Sequence, residues 1–221
     1  MISENIKEIN ASLPEGVRLV AVSKYHPEEA VMEAYAAGQR VFGENLVQEL
    51  QRKHEALPKD IEWHFIGHLQ TNKVKYLAPY VSLIHAVDTP RLLAEISKQG
   101  VKCGRRIPCL LQLHVAQEET KFGFTVEEAE AFLREGQWRE MEGAELRGVM
   151  CMASNVDDEE QIAREFDEAY SFFLRARDTY FSDQPAFREC SWGMSDDYPI
   201  ALRHGSTLVR IGSKIFGPRE Y

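Results

Sequence analysis

The stretch Arg18-Leu19-Val20-Ala21-Val22-Ser23-Lys24, with Pro27 close behind, decides the fold. Its apolar, β-branched centre has the length of a buried strand. Pro27 suits the first turn of a helix, where a missing N–H costs nothing. A strand that hands over to a helix so quickly leaves Lys24 at the strand's mouth, facing whatever cleft the loops enclose. A lysine there either stays a solvated amine or sheds water and becomes a nucleophile toward an aldehyde. The segment alone favours the solvated amine, so the rest of the chain has to decide.

Outward from this segment the same alternation recurs. Apolar runs lie at 18–24, 40–43, 62–67, 82–87, 107–115, 145–152, 187–192 and 207–212. Between them, 28–37 carries Ala30, Val31, Ala34 and Ala37 on one face. Residues 89–98 open with Thr89-Pro90, a cap followed by proline at the first helical position. Residues 126–135 follow Thr125, with Glu128 completing a capping-box pattern. The span 157–181 repeats Ile162, Phe166, Ala169, Tyr170 and Phe173 at helical spacing. Gly205 reads as the stop of a helix before the last strand, and residues 2–11 predict an extra leading helix. Eight strand-then-helix units predict a single (β/α)8 barrel over residues 1–221, close to the usual size of about 250 residues. The rival doubly wound sheet calls for a glycine-rich phosphate turn after an early strand. Gly43-Glu44-Asn45 is not one, and the sequence contains no GxGxxG.

Bulk composition narrows the function. Hydrophobic residues make up 44% of the 221, enough for a sizeable core. The 26 Lys and Arg are outnumbered by 35 Asp and Glu, giving a net charge of −9. That balance argues against nonspecific nucleic-acid binding, which needs a dense basic footprint. Met1–Ile6 has no basic signal-peptide start, and no run approaches the roughly 18 apolar residues of a membrane span. The expectation is a cytoplasmic chain without a membrane partner. Cys103, Cys109, Cys151 and Cys190 form no CxxC pair and no zinc-like spacing, so they read as free, mostly buried thiols.

In such a barrel the chemistry sits at the C-terminal ends of the strands. That rule selects Lys24, then Glu44 and Asn45, Gly67-His68, His85 and Asp88, and His114. After strand seven it selects Ser191, Gly193, Met194 and Ser195, and from strand eight Arg210, Gly212 and Ser213. Gly212-Ser213 leads into a short helical segment, Lys214-Ile215-Phe216. Barrels often bind phosphate at this place, because unpaired N–H donors and the positive end of a helix dipole gather there. Ser191 or Ser195 adds a hydroxyl. The competing explanation, that glycine and serine simply make tight turns, is outweighed by Lys24 and Arg210 nearby. Metal binding is weakly supported: His64 and His68 are four apart, but on a strand and its exit, without the glutamate of HExxH. His64 reads as a structural or pocket-wall histidine, and Trp63, Phe65, Phe172 and Phe173 as core. Trp192-Gly193-Met194-Ser195-Asp196 does not match the GxSxG serine-nucleophile turn.

Several segments together resemble the pyridoxal 5′-phosphate (PLP) homeostasis proteins, the YggS-like family. They are Ala21-Val22-Ser23-Lys24, Phe42-Gly43-Glu44-Asn45, and Trp63-His64-Phe65-Ile66-Gly67-His68-Leu69-Gln70-Thr71-Asn72-Lys73. Further on come Glu119-Thr120-Lys121-Phe122-Gly123, Gly193-Met194-Ser195-Asp196-Asp197 and Gly205-Ser206-Thr207-Leu208-Val209-Arg210-Ile211-Gly212. They run in family order from residue 21 to the C-terminus. The resemblance implies a barrel similar to the N-terminal domain of alanine racemase, holding PLP as its cofactor. By that pattern Lys24 forms the Schiff base and Arg210 faces the pyridine nitrogen. Asn45 lies beside the ring, and Ser191, Ser195, Gly212 and Ser213 surround the phosphate. Two local departures occur: His68 follows Gly67 where a proline is common, and Cys190-Ser191-Trp192 replaces a more usual Leu-Ser-Met.

An arginine at the ring nitrogen has implications for turnover. PLP is a strong electron sink when that nitrogen is protonated, and arginine can only donate there. Racemases with this arrangement draw a second acid/base from another domain, and with the chain ending at Tyr221 the expectation is that no such domain is present. The function expected is therefore binding of PLP as a lysine Schiff base in intracellular PLP (vitamin B6) homeostasis, with little or no catalytic turnover. Apo PLP-dependent enzymes are the implied recipients. The alternatives are a PLP-dependent amino-acid racemase, a Schiff-base lyase, and, last, a scaffold acting through its acidic surface.

Overall fold

The computed structural model describes residues 1–117 and 122–218. The Glu119-Thr120-Lys121 part of the family-like segment lies outside the described residues. Eight parallel strands close into a barrel in chain order, and the eighth pairs back onto the first. The strands are β1 (Arg18–Val22), β2 (Val41–Glu44), β3 (Glu62–Phe65), β4 (Leu83–Val87), β5 (Ile107–Gln112), β6 (Ala144–Met150), β7 (Glu189–Ser191) and β8 (Leu208–Ile211). Each falls on one of the eight predicted runs, usually shorter by a few residues. The barrel and the leading helix match the expected architecture.

The helices are α1 (Ile2–Ser12), α2 (Glu28–Ala36), α3 (Val47–Ala56), α4 (Val74–Leu77), α5 (Pro90–Lys102), α6 (Val126–Glu135), α7 (Glu159–Tyr180), α8 (Tyr198–Arg203) and α9 (Ser213–Phe216). Thr89 caps α5, accepting the Leu92 N–H at 3.2 Å, and Thr125 and Glu128 form the capping box of α6. Helix α3 is not among those the spacing predicts. Its inward face reads Val47, Leu50, Lys53, so a charged residue stands where the pattern needs an apolar one. Among the described residues no helix is long and apolar enough to cross a membrane.

Two apolar layers result from the alternation of the strands. Leu19, Ala21, Phe42, Trp63, Phe65, Leu111 and Val149 point outward and pack against Phe166, Phe172, Leu92 and Ile96 of the helices. Val20, Val41, Leu83, Leu110, Met150 and Leu208 fill the barrel interior. Gly205 closes α8 with φ +80, and a Cβ there would come within 2.5 Å of the Tyr170 ring. The position therefore demands glycine for both its backbone and its neighbour. Cys109, Cys151 and Cys190 are buried free thiols and Cys103 is exposed.

Candidate functional site at the barrel mouth

The strand register brings the predicted residues of β1, β2 and β8 to one end of the barrel. Val22 pairs with Gly43, so Lys24 and Asn45 leave adjacent strands at the same level. Ala21 pairs with Ile211, which puts Gly212 and Ser213 on the other side of Lys24. A Cβ on Gly212 would lie 3.1 Å from the Val22 carbonyl oxygen, so the β8 exit runs tightly against the β1 exit. Gly67 is under the same constraint: a Cβ there would meet the Asn45 carbonyl oxygen at 2.3 Å. Ser195 is buried, and its hydroxyl accepts the Gly212 N–H at 3.4 Å. Lys24, Asn45 and Gly212 are half-buried and Ser213 is exposed at the first turn of α9. The Asn45 Oδ1 is buried without a hydrogen-bond partner among the described residues, an acceptor that a ligand donor would satisfy.

Arg210 sits deeper, 4% exposed, and spans the upper ends of three strands. Its Nη1 donates to the Ser191 carbonyl at 2.7 Å and to the Ser191 hydroxyl at 2.5 Å, and its Nη2 to the Cys151 carbonyl at 3.0 Å. No carboxylate pairs with it among the described residues. Burial lowers Arg210 from its ordinary value, with Cys151 and Asp197 pulling the other way. It remains a cation.

Below the arginine runs a chain of polar side chains that sequence reading missed as a unit. Ser191 Oγ lies 2.8 Å from His85 Nδ1, and His85 Nε2 lies 2.9 Å from His64 Nδ1. All three residues are buried. Since arginine can only donate, the Ser191 hydroxyl accepts from Arg210 and gives its proton to His85 Nδ1. His85 then carries its hydrogen on Nε2 and donates to His64. Burial, aided by the Arg18 charge, pushes the His64 pKa down to about 3. Burial also drives His85 well below its ordinary value, with His64 and Arg210 adding to the effect. Both imidazoles are therefore neutral at pH 7. The only sequence signal was the inward alternation of His64 and His85 on β3 and β4.

A third group surrounds the backbone of Lys24. Lys53 of α3, fully buried, donates from Nζ to the Ser23 carbonyl at 2.7 Å, to Glu44 at 2.7 Å and to Glu49 at 2.8 Å. Ser23 Oγ donates to Glu44 at 2.6 Å, and the Tyr25 N–H donates to Glu49 at 2.8 Å. Burial raises the Glu44 carboxyl, while Lys53 pulls it down. At the rim, His68 Nδ1 lies 2.8 Å from the buried Asp88 carboxylate, and its ring stacks on Phe122 with centroids 3.8 Å apart. His114 is half-buried, and its backbone N–H donates to the Phe124 carbonyl at 2.8 Å. Among the described residues no three His, Cys, Asp or Glu side chains converge as metal ligands.

The chain and its fold have known relatives. Residues 1–220 match the model of the alanine racemase N-terminal domain family. The chain is 36% identical over 235 residues to the pyridoxal phosphate homeostasis protein of Vibrio alginolyticus, covering 100% of this chain and 98% of the relative. It is 37% identical over 205 residues to the one from Aquifex aeolicus, covering 92% and 88%. The structure of PipY from Synechococcus elongatus without PLP superposes with a TM-score of 0.92 at 34% identity, covering 98% of this chain and 100% of that one. The PLP-bound form of PipY superposes at 0.88 and 33%, with the same coverage. An alanine racemase from Bartonella henselae aligns at a TM-score of 0.73 over 99% of this chain and 58% of its own, but at 15% identity it shares the fold alone. The chain belongs to the pyridoxal phosphate homeostasis protein family, built on the barrel of the alanine racemase N-terminal domain.

Proposed function

We propose that this chain binds PLP at the barrel mouth as a Schiff base on Lys24 and holds it in reserve with little or no turnover. The observation that carries the reading is Arg210: a buried guanidinium, adjacent to the Lys24 strand, that meets only neutral acceptors. Bound PLP supplies an aldehyde that condenses with a lysine amine and a ring that withdraws electrons. Lys24 would supply the amine for that condensation, with water as the leaving group. A lysine amine is the nucleophile in such a condensation, and Lys24 is half-buried at the strand exit. Arg210 would donate toward the ring nitrogen and keep a proton off it, which would weaken carbanion stabilisation. Asn45 Oδ1, orphaned beside Lys24, fits a contact with the ring substituents. Ser195, Gly212 and Ser213 fit the phosphate, where the Ser213 and Lys214 N–H groups at the start of α9 precede any helical acceptor. Ser191, whose hydroxyl is engaged by Arg210 and His85, supports the arginine from below in this reading rather than touching the phosphate. The homologous PipY is known with PLP bound.

Incubation with PLP followed by borohydride should give a stable adduct that mass spectrometry maps to Lys24. Lys24→Ala should abolish it, and an adduct of equal yield in that variant overturns the assignment. Transfer of PLP from loaded protein to an apo-aminotransferase, followed by its regained activity, tests the carrier role.

One observation favours a second reading, an enzyme that moves a proton on an amino acid. His68, backed by Asp88 at the rim, has the form of an acid/base pair. Loss of optical rotation from an L-amino acid, abolished by His68→Asn, would establish it.

A further inference from the structure

Lys53 is an anomaly for a surface helix of a barrel. Its side chain is 0% exposed, yet it lies in the last turn of α3, on the face where an apolar residue would pack more cheaply. A buried ammonium needs every donor satisfied. Lys53 meets that need with three acceptors, one of them the carbonyl of Ser23, the residue before Lys24. The other two, Glu44 and Glu49, hold the same segment a second time. Glu44 takes the Ser23 hydroxyl and Glu49 takes the Tyr25 N–H. Ser23 and Tyr25 are thus gripped on both sides of Lys24 by one charge cluster.

The backbone between those grips is unusual. Tyr25 has φ +66 and is the one non-glycine residue with positive φ among the described residues. A side chain in the left-handed region is disfavoured and persists only where its surroundings enforce it. The hydrogen bonds from Lys53 to the Ser23 carbonyl and from the Tyr25 N–H to Glu49 contribute such enforcement on either side of Lys24. The turn also lets the chain reverse from β1 into α2 within a few residues, with the His26 N–H returning to the Ser23 carbonyl at 3.1 Å.

We propose that Lys53 is the positioning residue for Lys24: through Ser23, Glu44 and Glu49 it locks the turn that aims the Lys24 amine into the barrel mouth. The inference rests on the reading of Lys24 as the PLP-linking amine and extends it to a residue that touches neither lysine amine nor cofactor. Loss of the lock lets Tyr25 relax to negative φ and swings Lys24 toward solvent.

The test compares Lys53→Met and Glu49→Gln with the parent full-length chain, each checked for its barrel by far-ultraviolet circular dichroism. The first readout uses PLP as the probe and follows the rate of borohydride-trapped adduct at Lys24. A displaced nucleophile should react on the order of 10- to 100-fold more slowly. The second readout needs no cofactor: the pH profile of reductive methylation of Lys24 by formaldehyde, read by mass spectrometry against the exposed Lys7. In the variants the Lys24 profile should move to that of Lys7, and Lys53→Arg should recover part of the parent profile. A folded variant whose Lys24 keeps both the parent rate and the parent profile overturns the proposal. If Lys53→Met does not fold, Glu49→Gln decides it on the same readouts. If the parent itself forms no adduct with PLP, the cofactor reading fails, and the methylation profile alone judges the lock.

Discussion

Lys53 and Arg210 are both buried cations within one strand or helix of Lys24, and they are buried in opposite ways. Lys53 is matched by two carboxylates and a carbonyl, all within 2.8 Å. Arg210 meets two carbonyls and a hydroxyl, with no ion pair among the described residues. Desolvation is offset at the first site by opposite charge and at the second only by dipoles. The difference separates the two sites: a saturated cluster holds its surroundings still, whereas Arg210 carries no direct ion pair among the described residues, which is what the proposed PLP reading draws on. The neutral imidazoles beneath Arg210 serve the same end, since a charged His85 would repel it.

The contrast breaks first at Lys53. Lys53→Met strands two carboxylates in the interior and should lower the free energy of unfolding by about 3–5 kcal/mol, read from urea denaturation. An unchanged midpoint would mean that the cluster is not what holds this corner.

Acid should act next, on the Arg210 side. His64 and His85 are depressed in the folded protein, His64 to about 3, and take up protons only on unfolding. Their effect is absent above the unfolded value near ~6.5 and grows as pH falls from there toward the folded values. Between pH 6 and 5 the pair should cost about 2 kcal/mol of stability. Glu44 works the other way. Its raised carboxyl adds a burden above its folded pKa that acidification relieves. Replacing both imidazoles with phenylalanine should flatten the slope of stability between pH 6 and 5, and a slope unaltered by that change would contradict the neutral assignment.

Arg210→Met should cost less than Lys53→Met, about 1–2 kcal/mol, because it removes an unpaired charge and leaves only neutral acceptors unsatisfied. Equal losses at the two sites would erase the distinction between them. The smallest effect is at the turn itself. Tyr25→Gly relieves the left-handed strain at the price of a more flexible unfolded chain, and should raise stability by roughly 0.5–1 kcal/mol in thermal or urea unfolding.

The helix-forming spans and the mouth residues differ in how they could be read. Thr125 with Glu128, Thr89 with Pro90, and the Ile162, Phe166, Ala169 stripe announce their helices because capping and amphipathic burial are local. Helix α3 escaped because its buried face includes Lys53, which looks like solvent-facing charge until Glu44, Glu49 and the Ser23 carbonyl are brought around it. Lys24, Asn45, Gly212 and Ser213 were legible as strand exits, since the barrel rule needs only the strand ends. The state of Ser191 was not: its partner His85 is 106 residues away in the chain.

The order of short apolar runs and helical segments determined the (β/α)8 barrel, because each unit buries its own face by a period written in neighbouring residues. The same order determined which side chains stand at the C-terminal rim. Only the closed barrel decided which polar groups lose water and which partners they then meet, as with Lys53 under the Ser23 carbonyl, His85 between His64 and Ser191, and Arg210 without a carboxylate. Desolvation and hydrogen bonding across the barrel depend on strand register and closure, and neither is a property of any local stretch of sequence.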